Sequence, residues 1–458
     1  MGPLARELSP RGLWSLVGRL MREAIAAANV SPSDVAAVAV TSQREGLAIL
    51  DDHGRELYLA PNTDLRAFME GQGIDAQHRD LVCAATGHTP SFLLAPAKLL
   101  WLRDNQPELH ARARRVLSLD AWLAGRLGAG SFLERAAAVE LGLSDAVSGA
   151  AAKGLLDTLG VDMRLVPSVV AAGSIIGAVS PAAARHTGMR TGTPIAAAGP
   201  DTQCGLLGMG VTMPGDAGIV AGWSAPVQMV LERPLLDPEK RTWTGHHVTG
   251  RWVLESTAAD AGSAYRWAKD TLFPGTDDAT VTQLAAHVPP GANGALAYLG
   301  PRAANMGAVG PGIGGFLFPL LSSVQPTDPA ALMRAAYENV AYALKANVSQ
   351  LETISGQPLR QLRFGGGMAQ NHLLASILAD VLGRDVLVAR SPEVTGLGAA
   401  MCAAVGAGMY RDLEAAAQGM ASSVRQVRPD PVRMLEYQEH YMRWLAAGQA
   451  LELLGGTL

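Results

Sequence analysis

At 458 residues the chain is longer than one hydrophobic core ordinarily supports, so two sizeable domains are expected. Hydrophobic residues make up 48% of it and charged residues 17%, which excludes general disorder. A net charge of -4 with no Lys/Arg block argues against a nucleic-acid or membrane partner. Cys83, Cys204 and Cys402 lie too far apart for a disulfide framework or a metal cluster, and they suit a reducing cytoplasm. No apolar run reaches the length of a membrane span, and Met1–Ile25 lacks the uninterrupted apolar core of a signal peptide. A soluble, cytoplasmic α/β protein is the expectation.

In chain order, Leu13–Ala27 carries apolar residues at helical spacing. Val35–Thr41 (VAAVAVT) reads as a strand apolar on both faces and therefore central in a sheet. Two short runs around Asp52–Gly54 have the composition of a hairpin. Ala95–Arg103, Leu109–Ala113 and Ala121–Leu127 read as helices, with RVLSL a strand between the last two. GTPIAAAGPD is a buried strand entering a turn, and DAGIVAGWSAPVQMVL and HHVTGRWVLES open a second strand-rich stretch. Pro329–Leu351 is the clearest helix: Asp328 can cap it, Pro329 suits its first turn, and apolar residues recur every four positions. The strand LRQLRF, a glycine triplet, a helix Asn371–Leu382, the strand DVLVA and a Gly/Ala-rich helix Gly396–Ala404 follow. Strands alternating with helices over two halves mean an α/β fold in two lobes, with the seam near Met209.

Three segments could carry chemistry. Asp201, in AAAGPDTQCGLLG, follows a strand and precedes a helix start. Its carboxylate either caps the helix or acts as a general base at the carboxyl end of a strand, where open α/β sheets bind ligands. FGGGMAQN, Phe364–Asn371, lies between strand and helix, and its glycines allow close backbone approach to a ligand, or simply a tight turn. It is not G-x-G-x-x-G, and no G-x-x-x-x-G-K-[ST] occurs. GPGIGG, Gly310–Gly315, reads as a flexible turn. TSQREG, Thr41–Gly46, puts Gln43, Arg44 and Glu45 at a strand end, offering a polyol both donors and acceptors, or else forming a surface ion pair. The adjacent His246 and His247 are poorly spaced for a metal.

Taken in order, these pieces resemble the FGGY family of carbohydrate kinases over nearly the whole chain. VAVTSQREGLAILDDHGRELYLAPNTDLRA is similar to the family's substrate segment, hairpin and D-x-R element, and AKLLWLRDNQPE to its K-x-x-W stretch. GTPIAAAGPDTQCGLLGMG and LRFGGGMAQNHLLASILADVLG resemble the end of the first lobe and the adenosine-site segment. The resemblance implies a two-lobed, actin-like ATPase (ribonuclease H-like) fold, with residues 1–209 as the substrate lobe and 210–458 as the nucleotide lobe. It implies ATP and Mg²⁺ as cofactors, a small sugar or polyol as substrate, and Asp201 as the base. Gln43, Arg44, Glu45, Asp64 and Arg66 would bind the substrate. Gly222, Ser224, Gly365, Gly366, Gly367 and Asn371 would bind the nucleotide. SQREG with NTDLRA looks closest to the autoinducer-2 kinase branch, next to xylulokinase, and a homodimer is left open.

The chain also departs from the pattern. The family's opening Asp-x-Gly-Thr hairpin is absent, the first aspartate being Asp34, so the first lobe is expected to be truncated at its N-terminal side. A start upstream of Met1 is preferred to decay as the origin of that gap. DAGS, Asp260–Ser263, imitates the motif but falls in an expected helix. The second phosphate element, usually Gly-Thr-Ser, reads Gly222-Trp223-Ser224, and Trp has no hydroxyl for a phosphate oxygen. Two alternatives follow: a binding protein that holds sugar or nucleotide without phosphoryl transfer, and an NAD dehydrogenase, which the missing dinucleotide fingerprint disfavours.

Overall fold

The computed structural model describes residues 4–308, 312–319 and 327–455; Gly310 and Pro311 of GPGIGG lie outside them. The chain forms two compact units. The first comprises Met1–Thr212, Leu231–Val253 and Val394–Ala421, and the second Met213–Val230, Leu254–Glu393 and Ser422–Leu458. Among the described residues no helix is long and apolar enough to cross a membrane.

The first unit opens with the helix Pro10–Ala28, where Ser9 accepts the Gly12 N–H at 3.1 Å and Asn29 closes the last turn in the left-handed region. Its Leu13, Trp14, Met21 and Ile25 pack on a core that includes Trp122, Phe132 and Ile195. The strand Val38–Val40 runs parallel to Pro194–Ala197, which pairs antiparallel with Ile175–Ala178. The expected central strand Val35–Thr41 is thus shorter than its apolar run, half-buried, and at the edge of its described sheet. The helix Leu119–Leu127 lies against it from one side, and the helix Val394–Gly406 also packs on it. Flanking helices explain its apolar faces without a central position. A second sheet places Leu47–Leu50 between Glu56–Ala60 and Arg115–Ser118, all antiparallel, with the hairpin turn at Asp52–Gly54 as expected.

The helix Asp201–Met209 packs on Val394–Gly406 through glycines. A Cβ on Gly208 would fall 1.9 Å from the Val394 carbonyl oxygen, and one on Gly398 1.9 Å from that of Cys204. Backbone therefore meets backbone where most helix pairs interpose side chains.

In the second unit the strands run in the order Trp252–Thr257, Pro226–Leu231, Asp216–Val220, Gln361–Gly365, Val386–Ala389, Val424–Val427. Gln361–Gly365 is parallel to both its neighbours. The helix Pro329–Ser355 begins as expected, with Asp328 accepting the Ala331 N–H at 2.8 Å. It buries Tyr337, Tyr342 and Leu344 along its length. Parallel strands need crossovers, and Gln361–Gly365 reaches Val386–Ala389 through the helix His372–Leu382. The glycine turn stands at the start of that crossover.

Gly208→Ala is expected to lower stability by about 1–3 kcal/mol, since the helix pair has no room for one more methyl group. Thermal unfolding of the purified variant checks this; an unchanged melting temperature would contradict the crossing.

Candidate active site

The parallel register pairs Val38 with Ile195 and Val40 with Ala197, so both strands end at the same level. Their following loops are tied together: the Asp201 N–H donates to the Ser42 carbonyl at 2.9 Å, and Thr41 Oγ1 donates to the Gly199 carbonyl at 2.8 Å. Asp201 and TSQREG, far apart in sequence, thereby share one corner of the first unit. Asp201 is the first residue of its helix rather than its cap; Pro200 holds the cap position and makes no side-chain bond. Its Oδ1 accepts the Thr202 N–H at 2.8 Å, and Thr395 Oγ1 donates to its carbonyl at 3.2 Å. Asp201 as a whole is half-buried.

Asp120 stands close enough to sense that charge. Burial pushes its carboxyl up to about 6, and the charge of Asp201 adds to the shift against the hydrogen bond from Ser42. Ser42 Oγ joins the two segments by donating to Asp120 Oδ1 at 3.0 Å. Sequence reasoning missed Asp120, which lies between the strand RVLSL and the expected helix Ala121–Leu127 and is assigned to neither.

Gln43 is half-buried, and Glu45 adopts a left-handed backbone with φ 55°. Lys98 Nζ, only 1% exposed, donates to the Glu45 carbonyl at 3.1 Å. Burial brings the Lys98 ammonium down to about 8, while the charges of Asp64 and Glu45 hold it up. Arg44 lies 3.6 Å from Glu140 Oε1 and 3.9 Å from Glu45 Oε1, with its guanidinium 5.3 Å from the centre of the Trp243 ring. His88 Nδ1 bonds the Thr86 carbonyl at 2.6 Å, and its Nε2 faces Glu140 Oε2 at 3.1 Å. With Nδ1 donating to a carbonyl, the other ring nitrogen turns to the carboxylate, which attracts positive charge on the ring. Burial opposes that charge, but Glu140 outweighs it and holds His88 above its ordinary range. Burial likewise works against the Glu140 carboxylate, yet Arg44 and His88 keep it ionised and below its ordinary range. None of Lys98, His88, Glu140 and Trp243 could be assigned to a site from local pattern, because each belongs to a different element; only Lys98 stood in a recognisable stretch.

Asp64 and Arg66 are placed in the same unit and turned toward each other. Fully buried Asp64 takes both oxygens' bonds from Arg66 Nε, at 3.0 and 2.8 Å, and accepts from the Tyr58 hydroxyl and, at 2.7 Å, the Arg6 N–H. Arg66 also meets Glu7 at 2.8 Å and lies over the rings of Tyr58 and Trp101. This cluster ties the segment before the first helix to the hairpin.

In the second unit the strand Gln361–Gly365 runs straight into its turn. Gly366 has φ 91°, and a Cβ there would lie 2.4 Å from the Ala221 carbonyl oxygen, so only glycine fits. Gly365 accepts the Ala221 N–H at 2.8 Å, which brings Ala221–Ser224 beside the triplet. Gly367 and Gly222 are exposed, and a Cβ on either would meet nothing within 4 Å. Trp223 is 64% exposed, and Ser224 closes its loop by accepting the Gly222 N–H at 2.9 Å. Asn371 caps the helix His372–Leu382, accepting the Leu374 N–H at 3.0 Å and donating to Thr282 Oγ1 and the Tyr337 hydroxyl, both at 2.9 Å. Asp260 of DAGS precedes the helix Ala261–Leu272 instead of lying inside it. There Gly262 N–H donates to the Trp223 carbonyl at 3.0 Å, so the imitation motif supports the Gly222–Ser224 loop. Among the described residues no group of three His, Cys, Asp or Glu could hold a metal ion.

Two family models match the chain: the FGGY family of carbohydrate kinases, N-terminal domain, over residues 2–208, and the C-terminal domain over residues 217–407. The autoinducer-2 kinase of Klebsiella pneumoniae subsp. pneumoniae is 30% identical over 462 residues, covering 94% of this chain and 83% of that protein. The autoinducer-2 kinase of Escherichia coli K12 is 30% identical over 457 residues, covering 95% and 84%. Among solved structures, xylulose kinase from Rhodospirillum rubrum aligns with TM-score 0.82 and 26% identity over 99% of this chain and 92% of its own. Ligand-bound xylulose kinase from Lactobacillus acidophilus, at 18% identity, shares the fold with TM-score 0.87 over 100% of this chain and 92% of its own.

Arg66→Met removes the guanidinium that pairs with the buried Asp64 carboxylate and is expected to cost about 3–5 kcal/mol, read by chemical denaturation. His88, with its folded pKa raised above the unfolded 6.5, contributes stability that is complete below that value and lost as pH rises through the folded pKa. The melting-temperature gap between the natural protein and His88→Gln is therefore expected to shrink from about pH 6 to about pH 9. A gap that widened over that range would mean His88 is neutral in the fold.

Proposed function

Because the chain belongs to the FGGY family of carbohydrate kinases, we propose that it phosphorylates a hydroxyl of a small sugar, polyol or related polyhydroxylated compound, with ATP as donor and Asp201 as general base. One observation carries the reading: Asp201 N–H bonds the carbonyl of Ser42, which places the carboxylate at the root of Gln43–Glu45. A base and a set of polyol-binding side chains are thus held by one hydrogen bond between strand ends.

Phosphoryl transfer has a loose transition state, so orientation and charge neutralisation dominate and a modest base suffices. Asp201 accepts the proton of the substrate hydroxyl as its oxygen takes up the phosphoryl group, then passes that proton to solvent. The first helical turn around Asp201 orients the carboxylate through the Thr202 N–H. Asp120 keeps negative charge beside it, which favours proton uptake by Asp201. Arg44 and Glu45 supply donor and acceptor to substrate hydroxyls, and Gln43 supplies both. Asp64 and Arg66 act by holding Tyr58 and the substrate hairpin in place.

ATP supplies the transferred group. The open space over Gly222 and Gly367 fits a ligand laid against backbone, and Ser224, Gly365, Gly366 and Asn371 frame that surface. Asn371 does so through its cap, since its amide is committed to Thr282 and Tyr337. Mg²⁺ would travel on the triphosphate, whose oxygens are its ordinary ligands in phosphoryl-transfer sites. In this reading residues 1–209, with Leu231–Val253 and Val394–Ala421 of the same compact unit, form the substrate lobe, and the second unit is the nucleotide lobe. Within the family, the autoinducer-2 kinase relatives favour a small polyhydroxylated carbonyl compound.

A second reading, binding without transfer, is favoured by Trp223, which puts an exposed indole where a hydroxyl would meet phosphate. Asp201→Asn separates the two. It is expected to lower phosphorylation by about 10²–10⁴-fold while sugar binding by calorimetry persists. Unchanged turnover in the variant would remove Asp201 as base. Sugar binding by the natural chain with no phosphorylated product across xylulose, gluconate, glycerol and autoinducer-2 would favour the binding protein.

A further inference from the structure

Glu140 stands outside every motif read from the sequence, yet it touches both halves of the substrate corner. It lies at the end of the helix Arg135–Glu140 and is 2% exposed. Its Oε1 accepts from Gln203 Nε2 at 2.7 Å and pairs with Arg44 Nη1 at 3.6 Å. Its Oε2 pairs with His88 Nε2 at 3.1 Å. Gln203 sits in the first turn of the helix that Asp201 begins, and Arg44 belongs to the segment proposed to bind the sugar. Thr202 Oγ1 donates to Gln203 Oε1 at 2.7 Å, so the amide of Gln203 is oriented with its nitrogen toward Glu140.

A carboxylate buried this completely is retained only with compensation, and here two cations and an amide provide it. Trp243 backs the arrangement: its ring lies 5.0 Å from His88 and under Arg44, and its indole N–H donates to the Thr89 carbonyl at 2.6 Å. Arg44 is consequently 11% exposed and held by charge on one side and an aromatic face on the other. A guanidinium so held loses little freedom when a hydroxyl ligand arrives.

We propose that Glu140 is a positioning residue that couples the substrate arginine to the helix of the base: its carboxylate fixes Arg44 for the sugar and, through Gln203, fixes the turn that carries Asp201. The inference rests on the kinase reading above. It assigns Glu140 no contact with the reacting atoms. Loss of its charge acts on sugar recognition through Arg44, whereas loss of Gln203 acts on the turn of the base alone.

The test uses the full chain and whichever of xylulose, gluconate, glycerol and autoinducer-2 it phosphorylates fastest. Glu140→Gln keeps the size and an amide partner for Gln203 but loses the charge. Its sugar KM is expected to rise at least about tenfold, with kcat within about threefold and the KM for ATP unchanged. Gln203→Met is expected to show the opposite split, kcat falling more than sugar KM rises. In a cycle with Arg44→Gln, the second substitution should add almost nothing to the sugar KM, because both remove one interaction. A purely structural Glu140 would lower the active fraction and leave KM in place. Sugar KM within about twofold of the natural protein, or full additivity in the cycle, would overturn the coupling. Should Glu140→Gln fail to fold, Glu140→Asp carries the test: the charge stays but withdraws by one methylene, and a sugar KM that does not move refutes the proposal. If the natural chain phosphorylates none of the four compounds, sugar binding by calorimetry takes the place of KM throughout. Absence of phosphorylation then counts against the kinase reading, and an unchanged dissociation constant in Glu140→Gln counts against the coupling.

Discussion

The first unit depends on one backbone constraint, the parallel pairing of Val38–Val40 with Pro194–Ala197. Parallel strands end at the same edge of a sheet, so the loops that follow them emerge side by side. Here one loop carries Gln43–Glu45 and the other Asp201, and the Asp201 N–H to the Ser42 carbonyl closes the gap between them. The helix after Asp201 is then pinned from behind, where Gly208 and Gly398 let it rest directly on the backbone of Val394–Gly406. Position of the carboxylate therefore follows from strand register in front and glycine packing behind.

Charge burial supplies the second layer. Arg44, His88, Glu45 and Glu140 would each be costly to bury alone, and they are tolerable because opposite charges and hydrogen bonds answer one another. The same arrangement holds His88 above its ordinary range and Glu140 below its own. Asp64 and Arg66 repeat the logic at the hairpin, with Tyr58 and the Arg6 N–H completing the carboxylate's shell. Lys98 belongs to neither network: it is buried, and its ammonium steadies the left-handed backbone of Glu45 by donating to that residue's carbonyl.

The second unit solves a different problem, that of leaving backbone bare at the end of a strand. Gly366 must be glycine because its backbone is left-handed and it abuts Ala221, while Gly367 and Gly222 face open space. Asn371 locks the following helix to the helices of Thr282 and Tyr337. Trp223 is the element of this surface that departs from the family's hydroxyl-bearing pattern, and its carbonyl accepts the N–H of Gly262 whatever its side chain.

Much of this was legible in the residues themselves. Periodicity located the long helix Pro329–Ser355 and its Asp328 cap, turn composition located the hairpin, and the run of motifs pointed to the family that the comparisons bear out. These features depend on neighbours in sequence, through local sterics and side-chain spacing. Apolar content alone misplaced Val38–Val40 as a central strand, because burial by flanking helices and burial within a sheet select the same residues. For Asp201 the local pattern left a cap and a base as alternatives, and Pro200 occupies the cap position. Only tertiary structure decided that Glu140, His88, Lys98, Asp120 and Trp243 surround the corner where Gln43–Glu45 and Asp201 meet. Their meeting is set by electrostatics and packing between elements far apart along the chain, and no local pattern encodes which buried charge will answer which.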